Sequence, residues 1–218
     1  MSKPTSPQAI CNLALDLLNE KQIVSISPPD PDNTTEQLCA RWYDVVRRKL
    51  LESGNWNFAQ ASQAVPRGGT PSVDRYSDYY VFPNNYLKLT AIKDWDLPLQ
   101  RWDYRIEGKK LLINNSTASS IDLYFIQDIE DVTMFPGYFS DLFAGLLALS
   151  MARKLTAKPS VLTFISEYIK EARRVALGAN GQAQPPRRYE RSKIKQAGMR
   201  PGSANSVAGD YNFLYDPN

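Results

Sequence analysis

The chain has 218 residues, of which 43% are hydrophobic and 22% are charged, a composition typical of a globular protein with a sizeable core. It contains no histidine, which excludes the commonest general base, the Ser-His and Cys-His nucleophile pairs and most zinc sites. The composition therefore favours a protein that is not an enzyme and that holds no cofactor or metal.

The net charge of +3 is unevenly distributed along the chain. The last 41 residues hold six of the 26 basic residues and three of the 23 acidic ones, so the remainder is net neutral. A neutral body with a basic tail is typical of an interaction protein more than of an enzyme.

The first predicted helix begins at Ser6-Pro7, because Ser is a good N-cap and Pro suits the first helical turn. Its apolar stripe predicts an end near Glu20. The connection at 21–32 contains three prolines and cannot be helical. The polar start of the chain has no signal-peptide core, and the apolar run at 142–152 is far shorter than the ~20 residues that span a bilayer. We expect neither secretion nor membrane insertion.

The second helix is the strongest signal in the sequence. Asn33 or Thr34 can cap its start, and Glu36 occupies the capping-box position relative to Asn33. Apolar residues follow at helical spacing as far as Leu50, and Ser53-Gly54 ends the helix. Two large rings come directly afterwards. We interpret these residues as an amphipathic core helix and the aromatic cluster behind it: Trp42, Val45, Val46, Leu50, Trp56 and Phe58.

Aromatic and β-branched residues then predict strands. Residues 60–78 look irregular because they contain prolines and paired glycines. Strands are expected at 79–82 and 86–92 around a turn at 83–85, with 97–102 as a further candidate. A hairpin with Gly108 in its turn is expected over 104–113, and a final strand over 121–126.

Helical periodicity returns at Tyr138, and Pro159-Ser160 opens a fourth helix that Gly178 is expected to close. The predicted fold class is α+β: a bundle of about four helices with an inserted small antiparallel β-sheet or barrel and an extended C-terminal tail. The predicted parts are a first bundle half at 1–60, the β insertion at 61–128, a second bundle half at 129–178 and the tail at 179–218.

The tail is rich in Gly and Pro, has few apolar residues before 211, and cannot bury enough surface to fold alone. Large aromatic residues near its end have no role in solubility, so we interpret the tail as a docking arm. A merely soluble terminus is the alternative. The candidate docking residues are Arg187, Arg188, Tyr189, Arg191, Lys193, Lys195, Tyr211, Phe213, Leu214 and Tyr215.

Two other residue groups have a chemical interpretation beside a structural one. Cys11 and Cys39 are expected to be free buried thiols, with a disulfide between the two helices as the alternative. Asp128, Glu130 and Asp131 could hold Mg²⁺ or Ca²⁺, but an exposed turn before a helix explains such a cluster more simply.

Four segments of the chain resemble the head-to-tail adaptor proteins of tailed bacteriophages, particularly the tail tubular protein A family of short-tailed phages. They are RWYDVVRRKLLESGNWNFA at 41–59, YVFPNNYLKLTAI at 80–92, YRIEGKKLLINNS at 104–116, and IDLYFIQDIEDVTMFPGYFSDLFAGLLALSMARKLT at 121–156. They occur in family order over roughly residues 6–177.

The resemblance implies a structural virion protein of the head-tail junction, assembled in the cytoplasm of a host bacterium. Such proteins form a homo-oligomeric ring, commonly dodecameric, beneath the portal protein. The ring extends the DNA channel toward the tail nozzle protein, and genomic DNA passes through without sequence-specific contact. The arm would dock on the portal or on a neighbouring subunit. The alternative function is non-enzymatic nucleic-acid binding, in which the basic segment at 187–195 contacts phosphates and Tyr189 stacks on a base.

Overall fold

The structure is a computed structural model that describes residues 3–71, 75–92, 104–114, 119–155 and 158–183. These ranges contain four α-helices and six antiparallel strands, which confirms the predicted α+β class with a sheet inserted into a helical bundle. Residues 184–218 of the predicted tail and the candidate strand at 97–102 lie outside the described residues, whereas residues 179–182, also assigned to the tail, form the end of α4. The elements are α1 (Pro7–Leu18), α2 (Thr34–Ser53), β1 (Gln60–Gly69), β2 (Asp78–Val81), β3 (Tyr86–Ile92), β4 (Tyr104–Glu107), β5 (Lys110–Ile113), β6 (Ser120–Gln127), α3 (Gly137–Leu155) and α4 (Pro159–Gln182).

Side chains cap both N-terminal helices as the sequence predicts. The Ser6 hydroxyl accepts a hydrogen bond from the Ala9 backbone N–H, and the Asn33 side chain accepts from the first turn of α2. Glu36 does not complete a capping box with Asn33. Its carboxylate instead accepts hydrogen bonds from the backbone N–H groups of Val24 and Asp30, at 3.3 and 2.8 Å. Glu36 thus anchors the proline-rich connection, whose amides lack secondary-structure partners.

The sheet has the strand order β3-β6-β1-β2-β5-β4 and curls into a half-barrel. The predicted hairpin is confirmed as β4 and β5, with Gly108 at a positive φ of 57° in the turn. The predicted pair around the turn at 83–85 does not form, since β2 pairs with β1 and β5 while β3 lies at the far edge beside β6. The final strand is confirmed, and it lies between β3 and β1.

The strand β1 corrects the prediction that residues 60–78 are irregular. It pairs with β6 over seven consecutive residues, from Gln60 opposite Ile126 to Pro66 opposite Ser120. Only Val65 on this strand is fully buried. Because most of its side chains face solvent, β1 lacks the apolar alternation by which a strand is recognised, and its backbone pairing holds it in the sheet.

The core divides into a helical cluster and a smaller sheet cluster, with β6 contributing to both. Phe125 packs in the sheet cluster and the next residue, Ile126, packs in the helical cluster, because successive side chains of a strand point to opposite faces. The helix α3 supplies the largest share of the helical cluster. No helix among the described residues is long and apolar enough to cross a membrane.

The helix α4 continues beyond its predicted end. It passes through Gly178 to Gln182, so the expectation that Gly178 closes it is wrong. Asn180 explains the extension. Its side-chain oxygen accepts from the Asn57 backbone N–H, and its side-chain amide donates to the Asn55 carbonyl, both at 2.8 Å. These contacts fix the last turn of α4 against the segment after α2.

Candidate interaction surface

The buried face of α2 differs from the predicted face. Val46 and Leu50 are buried as predicted, but Val45 is 51% exposed and Trp42 is only partly buried. The buried face instead includes Cys39, Tyr43 and the charged residues Glu36 and Arg47. The predicted buried face of α2 was centred too close to Val45, because only apolar residues were used to locate it. Charged residues such as Arg47 were assumed to face solvent.

The aromatic pair after α2 is placed as predicted against the bundle. Trp56 is 2% exposed, and its indole N–H donates to the Leu50 carbonyl at 2.8 Å. The Phe139 ring of α3 lies 5.2 Å from the Trp56 ring and 4.7 Å from the Phe58 ring, both in edge-on geometry. The rings therefore join the exit of α2 to the first turns of α3.

The residues displaced from the core line an open depression between α2, α3 and α4, which we call the interhelical groove. Its volume is about 400 Å³. Val45 is 51% exposed and Leu149 is 42% exposed, so its walls are apolar and open to solvent. Its two charged lining residues are both basic, Lys49 and Arg173. We define the groove by the residues Trp42, Val45, Lys49, Leu146, Leu149 and Arg173.

A second exposed surface lies along α4. Phe164 is 54% exposed and Val175 is 46% exposed, and Tyr168 between them is partly buried. Two carboxylates, those of Glu167 and Glu171, share this side of the helix, since the five residues occupy positions i, i+3, i+4, i+7 and i+11. We call these five residues the outer stripe of α4. Glu171 also pairs with Arg174 on the same helix, at 2.6 Å.

The outer stripe borders a smaller depression that carries the opposite charge from the interhelical groove. Tyr138 and Asp141 of α3 line it together with Tyr168, Glu171 and Val175 of α4. Burial raises the pKa of the Asp141 carboxyl above its usual range. The two flanks of the α3–α4 pair are therefore both partly apolar, one with basic residues and the other with acidic residues.

The acidic residues before α3, Asp128, Glu130 and Asp131, were candidates for a metal site, but Asp128 and Asp131 make contacts that stabilise the fold. Asp128 forms ion pairs with Arg47, which is 1% exposed, and with Arg48 at 2.9 Å. The Arg47 guanidinium also donates to the Ile129 carbonyl at 2.6 Å. Asp131 caps a short 3₁₀ turn by accepting from the Thr133 backbone N–H at 2.9 Å, and its pKa is lowered by its bonds to Thr133. Two arginines thus already neutralise Asp128, which is the least exposed carboxylate of the cluster.

No metal-ligand cluster of three or more His, Cys, Asp or Glu residues occurs among the described residues. Cys11 and Cys39 are free and fully buried, which confirms that interpretation over a disulfide. A hydrogen bond between the two side chains and their burial raise the pKa of the Cys11 thiol. The Cys39 sulfur also lies 3.5 Å from the sulfur of Met151. The thiols pack α1 and α2 against α3, away from solvent.

Sequence reasoning named ten docking residues in the tail, from Arg187 to Tyr215, and all lie outside the described residues. It missed the interhelical groove and the outer stripe. The sequence places Val45 on the apolar face of α2, whereas Leu149 and Phe164 belong to neither predicted apolar face of α3 and α4 and were not considered as part of a surface. Comparison of the chain with protein-family models and with curated proteins gives no match to either.

Proposed function

We propose that the chain is a structural subunit of a virion, a ring-forming adaptor that joins the portal of a bacteriophage head to the tail and extends the DNA channel. The observation that carries the proposal is the resemblance of four segments, in family order, to the tail tubular protein A family. The proposed partners are the portal protein, the tail nozzle protein and further copies of the chain.

The way in which the first and fourth of those segments pack together in the structure supports the proposal. The first segment, at 41–59, forms most of α2 and the aromatic residues that pack on α3. The fourth, at 121–156, includes β6, the ion-paired Asp128 and α3. Their distinctive residues act in packing: Trp56 and Phe139 contact each other, and Arg47 and Asp128 form an ion pair.

The two exposed surfaces also support the proposal, because they are suited to contact with other proteins. The interhelical groove and the outer stripe expose aromatic and aliphatic side chains on a helical frame, and such surfaces are typical of protein–protein interfaces. An adaptor needs several such surfaces, because each subunit meets neighbours, the portal and the nozzle.

Co-sedimentation tests this function. The full chain is mixed with DNA-filled heads that carry a portal but no tail, from the bacteriophage that encodes it, and a truncation after Ala183 is tested in the same way. This truncation keeps α4 intact, whereas a cut after Leu177 would remove Asn180 and its contacts with Asn55 and Asn57. We expect the full chain to bind the heads and the truncation to bind weakly or not at all.

Binding by both proteins would keep the adaptor function and assign portal contact to the helical body. Failure of both at low and moderate salt would contradict the adaptor function. In that case a gel-shift measurement with duplex and single-stranded DNA tests the alternative, in which the segment at 187–195 binds phosphates and affinity falls steeply with salt.

A further inference from the structure

We propose that the interhelical groove of one copy receives the outer stripe of α4 from a second copy, so that subunits join head to tail. The inference rests on the proposed function, because it names the surfaces by which the adaptor subunits associate. Its occupant is another copy of this chain, and the support comes from charge, exposure and position on the described residues.

The charges of the two surfaces are complementary. The charged residues that line the groove are Lys49 and Arg173, both basic. The outer stripe presents Glu167 and Glu171, of which Glu171 is already paired with Arg174. Contact between like surfaces would bring two basic grooves or two acidic stripes together, and like charges at an interface disfavour it. Contact between a groove and a stripe instead places the acidic residues of one copy opposite the basic residues of the other.

The apolar parts of the two surfaces also match in kind. The stripe exposes the Phe164 ring and, further along the helix, Val175, while the Tyr168 ring between them lies partly against α3. The groove offers the exposed side chains of Val45 and Leu149. Aromatic residues that enter an apolar depression carry most of the binding energy in protein interfaces. Phe164 is the aromatic side chain of the stripe with more than half of its surface exposed.

The two surfaces point in different directions on the same helix. Phe164 and Arg173 are nine positions apart on α4, and at about 100° per residue they lie on opposite sides of it. A subunit can therefore receive one neighbour in its groove while its stripe enters another neighbour. Such a heterologous contact repeats from subunit to subunit and closes into a ring when the rotation permits.

The proposed contact is small for a stable dimer of two copies in solution. The stripe from Phe164 to Val175 is about 17 Å long, which is short for an interface of the standard ~800 Å² per partner. We therefore expect weak association in solution, and the test uses covalent trapping so that a weak complex is still detected.

The test mixes two variants of the full chain that each introduce one cysteine, Val45→Cys in the groove and Val175→Cys in the outer stripe, with a short thiol–thiol cross-linker. Phe164 stays in place in both. The native Cys11 and Cys39 are buried and remain in all proteins. We expect the mixture to yield cross-linked dimer about fivefold above either variant alone, since only unlike surfaces meet. The control is Val24→Cys, at a position that is 83% exposed on the connection before α2 and lies on neither surface.

Equal yields from like and unlike pairs, or yields no higher than the Val24→Cys control, would overturn the proposal. A charge test sharpens it. Introducing Lys49→Glu and Arg173→Glu into the Val45→Cys protein should lower the yield about tenfold, and Glu167→Lys with Glu171→Lys in the Val175→Cys partner should restore part of it. No restoration would mean that the two surfaces do not face each other.

The outcome is separable from that of the proposed function. Chains that co-sediment with heads but fail the cross-linking test leave the adaptor function standing and remove these subunit surfaces. Chains that cross-link as expected but do not bind heads keep the self-association and remove the adaptor function.

Discussion

The adjacent helices α3 and α4 pack side by side and use their surfaces in different ways. Ten of the nineteen residues of α3 are buried, and its apolar residues surround the helix. The helix α4 has 24 residues, of which only Ile165 and Ala176 are fully buried, and it leaves Phe164, Val175 and Leu177 about half exposed. The longer helix therefore contributes less to the core.

The difference indicates that α3 is mostly committed to the fold, with Leu149 exposed in the interhelical groove, while α4 has a whole apolar stripe available for a partner. A helix that is apolar on all sides is stable only when buried, as α3 is. A helix with an apolar stripe facing solvent gains nothing from that stripe in the isolated chain. Substitutions in the two helices should separate these roles, and their expected effects decrease from the core outward.

The largest effect is expected from truncating a phenylalanine of α3. Phe139 is fully buried and contacts the rings of Trp56, Phe58 and Phe135, so Phe139→Ala should lower the free energy of unfolding by about 3–5 kcal/mol. The matched variant on α4, Phe164→Ala, should change it by no more than about 0.5 kcal/mol. Urea unfolding of both variants measures the contrast. Equal losses would contradict the different roles of the two helices.

Glycine substitutions should give the next largest effect. A Cβ atom at Gly145 of α3 would lie 3.0 Å from Ile169 and 3.1 Å from Tyr168, so Gly145→Leu should cost about 1–3 kcal/mol by forcing the helices apart. A Cβ atom at Gly178 of α4 meets nothing within 4 Å, and Gly178→Ala should stabilise the helix by up to about 1 kcal/mol. Thermal unfolding of the pair checks both signs; stabilisation by Gly145→Leu would show that the helices are not in close contact there.

A smaller effect is expected where α4 is tied to the fold. Asn180→Ala removes two hydrogen bonds to Asn55 and Asn57 and should cost about 1–2 kcal/mol. The exposed neighbour Gln182→Ala serves as the control and should be nearly neutral. Hydrogen exchange of the last turn of α4 should also quicken in Asn180→Ala. An unchanged exchange rate would mean that these bonds do not hold the end of the helix.

The smallest effect concerns pH. Burial raises the pKa of the Asp141 carboxyl, so the folded state binds this proton more tightly than the unfolded state does. The contribution of Asp141 to stability therefore falls as pH rises from the ordinary Asp value through the raised one. Because solvent screens this half-exposed site, Asp141→Asn should raise stability at neutral pH by only a few tenths of a kcal/mol. Urea unfolding at pH 3 and pH 7 should show the gain at pH 7 alone; an equal gain at both would assign it to another cause.

The helices could be predicted from the sequence because their signals are local. Ser6 and Asn33 cap α1 and α2 as expected, and the 3.6-residue period placed all four helices. The errors came from long-range partners. Arg47 is buried because Asp128, 81 positions away, neutralises it, and that pairing turns Val45 toward solvent. No local pattern encodes such a partner.

Most strands of the sheet could be predicted from the sequence, but their order within the sheet could not. The hairpin of β4 and β5 follows from Gly108 and the flanking residues, since both strands are adjacent in the sequence. The strand β1 has polar side chains and Pro66, and it is held by backbone pairing with β6, which is distant in the sequence. The candidate surfaces were missed for a related reason: Phe164 lies off the predicted apolar face of α4, and only the packed structure shows that it shares an exposed side of the helix with Val175.

The most direct test of the outer stripe's role is co-sedimentation of the Phe164→Asp variant with portal-bearing, tailless heads, with its free energy of unfolding measured in parallel. We predict a protein that folds with near wild-type stability, because Phe164 lies outside the core, but that fails to build a full ring on the heads. A variant that binds heads in wild-type amount and stoichiometry would contradict the assignment of the outer stripe of α4 to assembly.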